Sequence, residues 1–234
     1  MMIRDSVALV TGANRGLGAK FVEALLARGA RKVYAAARDP ASIPSVWGAI
    51  PLRLDVTNAD DIAAVAREAS DVTLLVNNAG VARGSTLLGP EAADIARAEL
   101  ETNVFGPLAL ARAFAPHLAR NGGGAIVNVL SVASWLSVSA IATYSMSKAA
   151  AWSMTNGLRT ELAAQGTQVL GVHLGFMDTD MAKMVTSPKV APADVARLAL
   201  DGVEAGALEV LADAVAQQVK GGLSAPNAPY LGAR

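Results

Sequence analysis

Short runs of consecutive apolar residues alternate with longer segments in which apolar residues recur every three or four positions. The runs at 7–10, 32–37, 51–55, 72–77, 125–129, 168–174 and 208–211 predict strands. The periodic segments at 15–28, 60–69, 91–120, 143–164 and 193–205 predict helices. In the first helix Phe21, Leu25 and Leu26 lie near one face and Gly29 supplies the C-terminal cap. Thr57 or Asn58 can cap the second, and the third is expected to bend or break around Gly106-Pro107. Strands that are apolar at successive positions must be covered on both faces. The pattern therefore predicts an α/β fold with one doubly wound parallel sheet and helices on both faces. A single domain is expected over 1–234, with a core at about 5–212 and a C-terminal extension at 213–234. Within that extension 213–223 predicts a short helix with Val215 and Val219 on one side, followed by an irregular tail.

Composition narrows the chemistry. Apolar residues make up 53% of the chain and aromatics 4%, so the core is aliphatic and rich in alanine. Lys+Arg and Asp+Glu are both 20, a balance that favours neither nucleic acid nor a membrane surface as a partner. The absence of cysteine excludes disulfides, Cys-ligated zinc, iron–sulfur clusters and thiol nucleophiles, and fits a reducing compartment. The first strand starts at residue 7, which leaves no room for a signal peptide before it, and a cytoplasmic location is expected. No charge falls between Arg120 and Lys148, but three glycines at 122–124 and six serines from Ser131 to Ser147 make this a buried strand, a polar loop and a helix start rather than a membrane span.

Thr11-Gly12-Ala13-Asn14-Arg15-Gly16-Leu17-Gly18 joins the first strand to the first helix. Glycines there let the backbone turn tightly and approach a pyrophosphate, which the helix N-terminus favours. Asp55 is expected to end the third strand, where its carboxylate can accept from an adenine amino group, and Asn77-Asn78-Ala79-Gly80 ends the fourth. Tyr144 and Lys148 are four apart near a helix start, hence on one face. A free phenol ionises near about pH 10, and a neighbouring ammonium together with an oxidised nicotinamide is expected to bring Tyr144 down. Ser131, after the fifth strand, can hydrogen-bond a substrate oxygen. His117 and His173 have no metal-ligand spacing around them, so no metal is expected, and no G-x-S-x-G elbow exists.

Taken together, Thr11-Gly-x-x-x-Gly16-x-Gly18, Asn77-Asn-Ala-Gly80, Asn103, Ser131, Tyr144-x-x-x-Lys148 and Gly175-x-x-x-Thr179 resemble the short-chain dehydrogenase/reductase family in its shorter, single-domain form. The resemblance spans roughly residues 5 to 212 and implies a Rossmann-type domain. It implies cofactor contacts from Gly12, Asn14, Arg15, Gly16, Leu17, Gly18, Arg38, Asp55, Val56, Asn78, Ala79, Gly80, Tyr144, Lys148, Gly175, Met177 and Thr179. It also implies a catalytic set of Asn103, Ser131, Tyr144 and Lys148, in which the lysine binds the nicotinamide ribose and the asparagine supports a water that links the lysine to solvent. Arg38, just after the second strand, and Arg15 suit a 2′-phosphate, which favours NADP(H) over NAD(H). Asp39 is the counterargument, lying about 20 residues past the glycines where a ribose-binding acid is expected.

The implied activity is hydride transfer between NADP(H) and a small-molecule ketone, aldehyde or secondary alcohol. The alternatives are an NAD(H)-preferring alcohol dehydrogenase, or an idle nucleotide sensor or scaffold on the same fold. Three departures from the family pattern stand out. Leu174 replaces the usual proline before Gly175, so the nicotinamide loop is expected to be less rigid. The segment between Met181 and Pro192 is short, which suggests an open pocket lined by Trp135, Leu136, Val138, Phe176, Met181 and Met184. The C-terminus lacks the glycine-rich strand that joins subunits in many relatives, which places a tetramer in doubt. A homo-oligomer is still expected, with a dimer through the helices near Leu110 and Leu158 where Ala149, Ala150 and Ala151 permit close contact.

Overall fold

The structure, a computed structural model, describes residues 1–46, 48–177 and 189–232. Its strands are β1 (Val7–Thr11), β2 (Lys32–Ala37), β3 (Ala49–Arg53), β4 (Leu74–Asn77), β5 (Ala125–Val129), β6 (Gln168–His173) and β7 (Glu209–Leu211). They form one parallel sheet in the order β3-β2-β1-β4-β5-β6-β7. The winding direction reverses between β1 and β4, and in such sheets the crevice beyond the carboxyl ends at that point takes ligands.

Alternate residues of β1 show why the runs read as continuously apolar. Ala8 and Val10 enter one core with Phe21, Leu25, Ala199 and Leu200, from helices α1 (Gly16–Ala27) and α6 (Pro192–Glu204). Val7 and Leu9 enter the opposite core with Ile62, Val65, Phe114 and Leu158. That second layer comprises α2 (Ala59–Glu68), α4 (Gly106–Arg120) and α5 (Ala142–Glu161). Side chains alternate across a strand, so both faces demand apolar residues. Of two further helices, α3 (Ala92–Leu100) packs on α5, and α7 (Ala214–Gly222) packs on β7 and the turn at 132–134.

Several expectations shift. β3 begins two residues earlier than the apolar run indicates and continues through Pro51, because it is an edge strand where a missing N–H costs no ladder bond. Asp55 therefore lies beyond β3 rather than at its end. The expected break in the third helix is a π-type turn, Glu101–Phe105, just ahead of Gly106-Pro107. Asn58, not Thr57, caps α2 by accepting from Asp60 and Asp61 N–H. In α7, Ala216 and Val219 turn inward while Val215 is exposed. The tail does not simply trail away: Ala228 is buried and Pro229–Leu231 forms a short 3-10 turn. Leu110 and Leu158 themselves point into the second core, while Ala149 and Ala150 on α5 are partly exposed.

His173 closes β6 with no exposed surface, stacked on Trp135 with ring centroids 3.9 Å apart. Burial holds its imidazole down at about 4. The unfolded chain therefore binds the proton first, and stability falls as the pH drops from the ordinary histidine value of about 6.5 toward 4. Going from pH 7 to pH 5, this group alone should cost about 2 kcal/mol. Denaturant melts at the two pH values should show that increment shrink in His173→Phe.

Candidate active site

The glycine turn and the turn after β4 are tied into one unit. Thr11 Oγ1 accepts from the N–H groups of Asn78 and Ala79, each at 3.0 Å, and donates to the Val76 carbonyl at 3.3 Å. Asn78 Nδ2 returns a bond to the Thr11 carbonyl at 2.8 Å and reaches that of Gly12 at 3.3 Å. This packing leaves no room for side chains. A Cβ on Gly12, itself at φ +63°, would stand 3.1 Å from Ala79 Cα, and one on Gly18 would stand 2.1 Å from the Gly12 carbonyl oxygen. Leu17 points into the core, whereas Arg15 and Gly16 are exposed. The residue before α1, Arg15, makes no side-chain hydrogen bond that caps the helix. Bare backbone at a helix N-terminus fits a pyrophosphate.

At the end of β2, Arg38 and Asp39 are both exposed. The Asp39 carboxylate caps a 3-10 turn, Pro40–Ser42, accepting from Ala41 N–H at 3.0 Å. Asp55 accepts through one oxygen from the backbone and hydroxyl of Thr57. The Thr57 bonds, with help from the Arg38 and Arg53 charges, hold its carboxyl below the usual range. Val56 is buried, and its carbonyl would lie 2.7 Å from a Cβ on Gly106, so α4 starts hard against it.

The catalytic candidates converge at the same edge. Ser131 follows β5, and its hydroxyl accepts from Ala133 N–H at 3.1 Å, capping a 3-10 turn. In the first two turns of α5 lie Tyr144 and Lys148, with the ammonium 5.8 Å from the tyrosine ring centroid. Burial pushes the Tyr144 phenol up to about 12, the Ser131 hydroxyl pulls against that rise, and the Glu99 carboxylate adds to it. Lys148 is buried, donates to the Val129 carbonyl at 2.9 Å, and is brought down to about 8 by burial. Within the polypeptide alone, desolvation is the largest influence on Tyr144 and works against the lowering expected from Lys148 together with an oxidised nicotinamide.

Asn103 sits in the π-type turn, which rotates it inward. Its amide makes three bonds, accepting from Val81 N–H and donating to the Val81 carbonyl and the Ser147 hydroxyl, each at 2.9 Å. Those bonds use both donors and one of the two acceptor sites of the side chain. A cavity of about 10 Å³ lies beside it, lined in part by Asn77, Asn128 and Lys148. That is room for one water, and the buried Asn77 Oδ1 has no protein partner among the described residues.

On the other side of the crevice, Gly175 follows β6 and Met177 bridges to Val190. Leu136 is half-buried, and Phe176 and Val138 are exposed and free to line a pocket. Trp135 is not, because its ring is buried between His173 and Trp152. Thr179, Met181 and Met184 lie outside the described residues.

Glu99 was not singled out by sequence. It is fully buried, and one of its oxygens accepts from Arg83 and Gly84 N–H at 2.8 and 3.0 Å. The signal was available: Ala92, Ala96, Glu99 and Asn103 follow helical spacing, which puts a carboxylate in an inward stripe. Among the described residues no cluster of potential metal ligands occurs, and no helix is long and apolar enough to cross a membrane.

Residues 6–189 match the family model described as short chain dehydrogenase. The chain is 34% identical over 195 residues to a 3-oxoacyl-[acyl-carrier-protein] reductase of Vibrio cholerae, with 78% of each covered. It is 31% identical over 196 residues to gluconate 5-dehydrogenase of Gluconobacter oxydans, covering 77% of this chain and 74% of that one. A crystal structure of a short chain dehydrogenase from Burkholderia cenocepacia in complex with NADP is 45% identical with a TM-score of 0.93, over 97% of this chain and 95% of that one.

Proposed function

The chain belongs to the short-chain dehydrogenase/reductase family, and from that premise we propose that it transfers a hydride between NADP(H) and a ketone, aldehyde or secondary alcohol. The observation that carries this reading is the convergence of the Ser131 hydroxyl, the Tyr144 phenol and the Lys148 ammonium beside the bare backbone of the glycine turn.

Bound NADPH would supply the hydride, and the protein supplies everything else. Gly12, Gly16 and Gly18 leave the pyrophosphate path open, with Asn14 and Arg15 beside it. Arg38 takes the 2′-phosphate. Asp39 is a poor ribose ligand here because its carboxylate already caps the turn that follows. Asp55 and Val56 bound the adenine end, Asn78 to Gly80 the floor, and Gly175, Met177 and Thr179 the nicotinamide end. Ser131 donates to the substrate oxygen. Tyr144, held neutral by burial, gives its proton to that oxygen as it becomes an alkoxide. Lys148 binds the nicotinamide ribose and returns a proton to Tyr144 from the small cavity beside Asn103. Leu136, Val138 and Phe176 form the apolar side of the substrate site.

Support for the nucleotide comes also from the Burkholderia cenocepacia relative, whose structure is a complex with NADP. The test is cofactor consumption with a panel of ketones and aldehydes, run in parallel with NADPH and NADH. Turnover preferring NADPH is expected. Equal use of both would return the reading to an NAD(H)-tolerant dehydrogenase. Arg38→Ala should weaken NADPH binding by roughly 30-fold, the worth of a charge-assisted phosphate contact, and leave NADH affinity within about twofold. Fluorescence titration of both nucleotides checks this.

A further inference from the structure

The start of the 175–177 segment is held from outside the sheet. Gly175 N–H donates to Asp213 Oδ2 at 2.7 Å, and the other oxygen of the same carboxylate accepts from Ala216 N–H at 2.7 Å, capping α7. One side chain thus joins the helix to the segment. The seat is tight: a Cβ on Gly175 would stand 3.1 Å from Val215 Cβ. On the opposite side, Val132 N–H holds the Leu174 carbonyl at 2.9 Å, from the stretch that carries Ser131. The far end of α7 is pinned as well. Lys220 pairs with Glu209 at 2.8 Å and lies 5.0 Å from the Trp135 ring centroid, and Val219 and Ala216 are buried.

We propose that Asp213 is a positioning residue for the nicotinamide end of the cofactor. Its carboxylate fixes the backbone at Gly175 through α7, supplying the restraint that Leu174, free to rotate about φ, does not impose. The C-terminal extension is then a working part of the cofactor site. This inference rests on the reading that residues 175–177 hold the nicotinamide.

Asp213→Ser separates the two tasks of the side chain. A serine hydroxyl still caps α7 but is too short to reach Gly175 as well. Exchange of the Gly175 amide, measured without nucleotide, should quicken while the melting temperature stays close to wild type. NADPH should bind about tenfold more weakly, the worth of one lost hydrogen bond in an ordered site, whereas 2′-phospho-ADP-ribose, which lacks the nicotinamide, should bind within about twofold of wild type. Equal weakening of both nucleotides, or no weakening of either, would overturn the proposal and leave the site reading intact. A wild-type protein that binds neither nucleotide would overturn both.

Discussion

Tyr144→Phe should lower kcat by about a thousandfold while the protein folds normally and binds NADPH within about twofold of wild type. The substitution removes one oxygen and keeps the ring, so the aliphatic surroundings are undisturbed. The loss is large because no other described side chain can take over the proton. Ser131 can hydrogen-bond the developing alkoxide, but an aliphatic hydroxyl is too weak an acid to give up its proton. Lys148 is turned toward the Val129 carbonyl, with its ammonium 5.8 Å from the tyrosine ring centroid. The developing alkoxide would then meet only hydrogen bonding, without general acid help. Circular dichroism, a nucleotide titration and steady-state rates on one ketone make the comparison. Turnover within tenfold of wild type would remove Tyr144 from the acid/base role.

Gly18→Ala should be among the most damaging single methyls at the described glycines. A Cβ there would lie 2.1 Å from the Gly12 carbonyl oxygen and 2.7 Å from Asn78 Nδ2. Neither neighbour can give way cheaply. The first is backbone in a turn at φ +63°, and the second is bonded to the Thr11 and Gly12 carbonyls. Relieving the clash means moving the first turn of α1 away from β1, at a cost of roughly 1–3 kcal/mol in stability. The same movement spoils the pyrophosphate path, so NADPH affinity should fall by at least about a hundredfold, an estimate set by loss of two or more hydrogen bonds. Gly221→Ala in α7, where a Cβ meets nothing within 4 Å, is the control and should be neutral or slightly stabilising. Thermal melts and nucleotide titrations of the two variants decide the matter. Tight NADPH binding by Gly18→Ala would show that the turn relaxes more easily than its geometry implies.

Much of this was legible in sequence because the features are local. Strands buried on both faces announce themselves as apolar runs, and the glycines mark where backbone must be bare. Tyr144 and Lys148 share a face by spacing alone. What sequence did not give depends on partners far along the chain. Pro51 looked like a strand start, but only the edge position of β3 lets the strand run through it. Which faces of α4 and α5 turn inward, with Leu110 and Leu158 in the second core, is set by packing against the sheet and not by the helix spacing alone. Trp135 looked like a pocket wall, yet His173, 38 positions later, draws its ring inward. The ammonium beside Tyr144 is visible in the spacing, whereas the desolvation that opposes ionisation of the phenol is not. Asp213 read as the start of a short helix, with nothing to show that its second oxygen reaches Gly175.

The bonds between Thr11 and the turn after β4 join residues 67 and 68 apart in the chain. Long-range closures of this kind come late in folding, after loop entropy has been overcome. The proposed nucleotide cradle therefore does not exist in a partly folded chain, however complete α1 is by itself. During synthesis β1 must wait for β4 to emerge before the cradle closes. A nucleotide that binds only the closed form acts on the lifetime of the finished protein, slowing its unfolding, and does little to hurry its birth.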